Sequence, residues 1–194
     1  MEEAIFYNQL NIIAQSDYRK IKSFKEKFGS WQEAWERLPA QEKNLSELET
    51  NWQKLSSIGV QLILIEDPGY PAILKEIPWP PLGLYILGEL PKNDDLTIAI
   101  VGTRKATQQG KELAGRFAFQ LTRAGLKIIS GLALGIDAAG HLGALEAGGQ
   151  TIAVLANGLD RFYPRLHEKL AKRIIAQKGA LISEYPIGSP TLPY

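Results

Sequence analysis

Residues 97–141 read TIAIVGTRKATQQGKELAGRFAFQLTRAGLKIISGLALGIDAAGH, two strand-to-helix turns in succession. The first leaves an apolar strand through Gly102, Thr103, Arg104 and Lys105, crosses a polar loop to Gly110 and enters a helix. The second leaves an apolar strand through Ser130-Gly131, passes Leu132-Ala133-Leu134 and enters a helix at Gly135-Ile136-Asp137. In a parallel sheet both turns emerge at the carboxyl edge of neighbouring strands, where open α/β folds bind ligands. Helix N-termini present unpaired N–H groups and partial positive charge, so both turns suit phosphate. Two adjacent anion sites with an arginine between them imply a ligand carrying several phosphates.

Outward from this stretch the alternation continues. It predicts strands over 97–102, 126–131, 150–156 and 180–185, and helices over about 110–124, 136–147 and 165–177. Gly125, Gly148-Gly149 and Gly179 punctuate the helix ends. Continuous apolar strands joined by helices imply a parallel sheet covered on both faces. Residues 1–58 read as four short helices. The second is capped by Ser16-Asp17 and stopped at Gly29, the third is capped by Ser30, and the fourth runs from Ser46 to Ser56. Trp31, Trp35 and Trp52 admit either core packing or base stacking. Residues 59–95 read as an ordered, proline-rich connector with strands at Val60–Ile65 and Leu84–Leu87.

The net charge of +1 conceals a division. Residues 1–95 carry 10 Lys and Arg against 15 Asp and Glu, a net of −5. Residues 96–194 carry 12 against 6, a net of +6, so the basic character belongs to the half with the glycine turns. A polyanion-binding domain shows this asymmetry. Lys169, Lys172, Arg173 and Lys178 sit at helical spacing and also fit a solvated face. There is no cysteine, which excludes disulfides and thiolate metal sites and fits a reducing cytoplasm. With only two histidines a metal site is not expected. Neither a signal peptide nor a membrane-spanning run is legible.

Several ordered blocks resemble the DNA-processing protein A (DprA/Smf) family. They are Gly102-Thr103-Arg104, with threonine for the family's serine; Ser130-Gly131-x-Ala133-x-Gly135-Ile136-Asp137 with His141; Gly158-Leu159-Asp160 with Tyr163-Pro164; and Ser183-Glu184-Tyr185-Pro186. Asp67-Pro68-x-Tyr70-Pro71-x-x-Leu74 resembles the segment before the family's sheet. Leu134 and Ala156 depart from the family's frequent arginine and glycine. The resemblance implies a Rossmann-like α/β fold over 96–194, preceded by a small all-α, SAM-like domain. It also implies a non-enzymatic protein of the cytoplasm that binds single-stranded DNA and helps load the RecA recombinase in natural transformation, without a cofactor. The chain ends at Thr191–Tyr194, where the family would continue, so truncation is expected. Dimerisation and RecA contact depend in the family largely on the portion after Tyr194, so no residue here is assigned to either.

Other readings of the turns fail on spacing. A dinucleotide fingerprint needs Gly-x-Gly-x-x-Gly and an acid about twenty residues on, yet no glycine follows Gly102 until Gly110. No P-loop lysine motif exists. The Pro-Gly-Gly-x-Gly-Thr-x-x-Glu signature of lysine-decarboxylase-like phosphoribohydrolases is missing too. A nucleotide-binding or nucleotide-hydrolysing enzyme on a similar fold is the alternative function. Asp137 and His141, four apart on one helix, are either an acid–base pair or a turn-fixing carboxylate and a structural histidine. Arg104 either grips phosphate bidentately or pairs with Asp160 or Glu184. Arg161, Phe162 and Tyr163, in the third strand-to-helix loop, supply a cation and two rings of the kind single-strand binders use. The expected DNA-binding set is Gly102, Thr103, Arg104, Ser130, Gly131, Arg161, Phe162 and Tyr163.

Overall fold

A computed structural model describes residues 3–190. Met1, Glu2 and Thr191 to Tyr194, on which the readings of the chain's two ends rest, lie outside the described residues. Four helices open the chain: α1 (Glu3–Ile13), α2 (Tyr18–Phe28), α3 (Trp31–Glu36) and α4 (Leu45–Ser57). Their starts obey local capping chemistry. Asp17 accepts from the Arg19 and Lys20 amides, and Ser30 accepts from the Glu33 amide at 3.1 Å. Asn44 caps α4, which starts at Leu45, one residue before the expected Ser46. Trp31 and Trp35 are buried in the core that these helices share with Leu64, and Trp52 is half-buried against it, so core packing accounts for all three.

The segment 59–95 supplies β1 (Gln61–Leu64), a single turn α5 (Ala72–Lys75) and β2 (Gly83–Gly88). The alternating half adds β3 (Thr97–Ala99), α6 (Gln108–Arg123), β4 (Lys127–Ser130), α7 (Ile136–Glu146), β5 (Thr151–Leu155), α8 (Glu168–Ala176) and β6 (Ala180–Ser183). A 3₁₀ turn at Arg165–His167 occupies the start of the expected 165–177 helix. All six strands form one sheet in the order β1-β2-β6-β5-β4-β3. The β3–β6 run is parallel, and β2 joins β6 antiparallel, with Tyr85 opposite Ser183. The proline-rich segment therefore contributes one edge of the same sheet.

Each crossover from β3 to β6 steps the same way across the sheet. Right-handed crossovers that never reverse place every helix on one face. Ala153, Leu155 and Leu181 accordingly pack with α7 and α8, and Ile128 packs with α6 and α7. The expected cover over both faces is supplied by different elements, helices on this face and the proline-rich segment on the other. On the opposite face Ile86, Ile152 and Ala180 are covered by Tyr70, Leu74 and Leu90 from the 66–90 segment. Toward β3 that cover ends, leaving Val101 70% and Val154 46% exposed. On the helical side α6 and α7 meet through small residues. A Cβ on Gly143 would collide with the Gly115 carbonyl oxygen and stand 3.0 Å from the Ala118 methyl.

Candidate functional site

Three loops leave the carboxyl edge of adjacent parallel strands. The first follows β3. Gly102 allows close contact with the second turn, since a Cβ there would lie 2.7 Å from Ile136 Cγ1. Thr103 Oγ1 accepts from the Lys105 amide at 3.2 Å, and Thr107 Oγ1 caps α6 by accepting from Gly110 at 3.1 Å. Arg104 is exposed, and among the described residues no carboxylate lies within ion-pair distance of it. Neither expected partner pairs with it among the described residues: Asp160 accepts from the Gly188 amide and faces Arg161, and no ion pair joins the Glu184 carboxylate to Arg104.

The second loop follows β4 and turns inward. Ser130 is buried, and its hydroxyl donates to the Ile100 carbonyl at 2.6 Å. The Gly131 amide donates to Asp137 Oδ2 at 3.1 Å. Both were expected to meet phosphate; their hydrogen-bonding groups are instead spent on building the turn. Positive φ falls not at Gly131 but at Leu132 (59°) and Gly135 (84°). Leu132 is fully buried, and its carbonyl lies 2.8 Å from His167 Nδ1, which ties the third loop to the second.

Asp137 thus fixes the glycine turn. His141 is fully buried, with Nδ1 2.7 Å from Thr151 Oγ1, whose hydroxyl donates to the Ile128 carbonyl. That hydroxyl has one proton, so Nδ1 carries the hydrogen of the His–Thr pair. Burial, reinforced by the His167 charge, lowers the imidazole pKa to about 4. A histidine so buried and reluctant to charge suits a structural role across β4, β5 and α7, not proton transfer at the sheet edge.

The third loop follows β5. Buried Asn157 donates its amide to the Gly158 and Arg161 carbonyls at 2.8 and 2.9 Å, and Ser183 Oγ donates to the Asn157 carbonyl. This clamp leaves Arg161 exposed and Tyr163 54% exposed. Phe162 differs from expectation: it is half-buried and packs against the core under α8. The Arg161–Asp160 pair at 3.4 Å is a surface contact of little weight.

A groove of about 1010 Å³ opens beside Arg104. Leu134 and Gly135 of the second loop and Leu166 and His167 at the end of the third line it with Arg104, so all three loops converge there. It then runs between α6 and α7 past Lys111, Arg116 and Phe119. Sequence reasoning missed these three residues, along with Asn157 and His167. Helical spacing from Lys111 to Phe119 could have marked a shared face; nothing local marks the Asn157 clamp. Among the described residues no three His, Asp or Glu side chains gather as metal ligands, and no helix is long and apolar enough to cross a membrane.

The sequence model of a family described as DNA recombination-mediator protein A matches residues 61–194. Protein Smf of Synechocystis is 40% identical over 161 residues, covering 79% of this chain and 39% of that protein. The X-ray structure of DNA processing protein A from Streptococcus pneumoniae superposes with a TM-score of 0.68 at 32% identity, covering 84% of this chain and 53% of that one. A Helicobacter pylori DNA processing protein A, described with a single-stranded DNA binding mode, gives a TM-score of 0.58 at 32% identity, covering 68% and 59%. The chain thus spans between 39% and 59% of the length of these three relatives.

Proposed function

This chain belongs to the DprA/Smf family of DNA recombination-mediator proteins, and from that premise we propose that it binds single-stranded DNA at the carboxyl edge of β3, β4 and β5, without catalysis. The observation that carries the reading is Arg104: an exposed guanidinium at the first turn, without a carboxylate partner among the described residues, at the mouth of a groove where three loops meet. Gly102 and Thr103 shape that turn, and Arg161 adds a second exposed cation. Tyr163 offers a ring for base stacking. Ser130 and Gly131 support the edge from within, and Phe162 anchors the third loop in the core. Protection of incoming strands, loading of RecA and a place in the cytoplasm during natural transformation complete the reading, by resemblance to the family.

Arg104→Ala weakens binding of a labelled oligo-dT by about 1–3 kcal/mol, evenly across base sequences, because phosphate carries no base identity. With about four phosphates neutralised, log affinity falls with log salt at a slope of roughly −3, and the variant flattens that slope by something under one unit. Fluorescence anisotropy at several salt concentrations checks both. Unchanged affinity in folded Arg104→Ala protein removes the residue from the site. A salt-independent affinity, or tighter binding of a mononucleotide than of a long strand, turns the reading toward a nucleotide enzyme.

Tyr163→Ala has the opposite signature. If the ring stacks on a base, affinity drops by about 1–3 kcal/mol while the salt slope stays unchanged. A flattened slope with Tyr163→Ala counts against stacking.

A further inference from the structure

The α6–α7 groove extends away from the strand ends, and its chemistry changes along its length. At its mouth stands Arg104; farther along, α6 presents Lys111 and Arg116, both exposed and without an ion pair among the described residues. Phe119, one further turn along, is 41% exposed, and Leu142 of α7 offers apolar surface on the other wall. Gly115 keeps the floor open between these side chains. Residues 111 to 119 span about 12 Å of helix. Two carboxylates also line the groove, Glu112 and Glu146. The Glu112 carboxylate accepts from the Gln108 amide at 2.9 Å. The pattern of spaced cations with exposed aromatic and apolar surface matches what a single strand requires: charge for its phosphates, flat faces for its bases.

We propose that the groove between α6 and α7 is a second tract of the DNA path, in which Lys111 and Arg116 hold the backbone of a strand continuing from Arg104 and Phe119 stacks on one of its bases. The proposal rests on the single-strand reading of the Arg104 edge and extends it in length. A strand confined to the loops would not reach Lys111 or Arg116, whereas a longer one would engage both.

The test compares labelled oligo-dT of about 3 and about 20 nucleotides by fluorescence anisotropy, the shorter, at roughly 3.4 Å per nucleotide, being too short to cover both the Arg104 edge and the tract from Lys111 to Phe119. The proteins are the unmodified chain, Lys111→Ala/Arg116→Ala, Phe119→Ala and, as reference, Arg104→Ala. The double variant is expected to bind the longer strand on the order of tenfold more weakly and to lower its salt slope by roughly 1.4, as loss of two phosphate contacts requires. It leaves the shorter strand unaffected. Phe119→Ala weakens only the longer strand and preserves the slope, while Arg104→Ala weakens both. Circular dichroism melting verifies that each variant is folded. Equal affinity of the double variant and the unmodified chain for the longer strand overturns the proposal and leaves the groove to another ligand, such as an acidic protein segment. Equal losses for both lengths overturn it too, since the groove would then belong to the first site. Failure of the unmodified chain to bind either strand defeats the parent reading as well.

Discussion

Gly135→Ala is expected to destabilise the protein by about 4 kcal/mol and to lower the thermal midpoint by about 10 °C. Two costs combine. Gly135 holds φ 84° and ψ −121°, a region closed to residues with a side chain. An added methyl would also collide with the Thr103 carbonyl oxygen and stand 2.9 Å from the Arg104 carbonyl oxygen. Those oxygens belong to the first turn, and Ile136 N donates to Thr103 O at 3.3 Å. The substitution therefore drives apart the two loops that form the groove mouth, and on the proposed single-strand reading DNA affinity is expected to fall along with stability. Gly125→Ala separates the two costs. Gly125 also has positive φ, 95°, but nothing lies within 4 Å of where its Cβ would be. It should cost only the conformational part, about 1 kcal/mol. Equal melting points for the two variants would show that the turns do not depend on this contact.

His141 supplies the second large effect, through pH. Its folded pKa of about 4 lies below the ordinary 6.5 because burial penalises the charged ring. The unfolded chain takes up a proton as pH falls through 6.5, while the folded protein resists until about 4. The stabilisation is complete above pH 6.5, declines as pH drops through that window and reaches a loss of about 3 kcal/mol near pH 4. Urea unfolding of the unmodified protein and of His141→Leu at a series of pH values isolates it. The difference in unfolding free energy between the two should shrink across this range, because leucine has no proton to gain. Parallel pH profiles would show that the imidazole titrates normally and that its burial does not control its charge.

The fold was legible wherever a local rule governed. Period and punctuation located β4, α7, β5 and β6 to within a residue or two, and capping chemistry marked the starts of α2 and α3. Thr97–Ala99 is shorter than the expected 97–102 because its ladder ends where its partner β4 ends, at Ser130, and α5 carries no legible period because it has only four residues. Trp31 and Trp35 were open between stacking and packing until burial decided; sequence spacing alone gives a ring no solvent exposure.

The site divides the same way. Residue order alone places two glycine turns and a third loop at the carboxyl ends of neighbouring strands, with Arg104, Arg161 and Tyr163 among them. Residue type and position beside a strand end suffice for that. Packing between distant elements selects which of these groups remain available. Ser130 and Gly131 look like phosphate ligands in the sequence, yet Ile100 and Asp137 consume their donors. Phe162 looks like a stacking ring, yet it is drawn against the core. The groove past Lys111 and Arg116 exists because α6 and α7 approach through Gly115 and Gly143. A chain read in order shows which groups could bind; the distances between elements far apart in sequence determine which hydrogen bonds are already made, and those distances are set by packing.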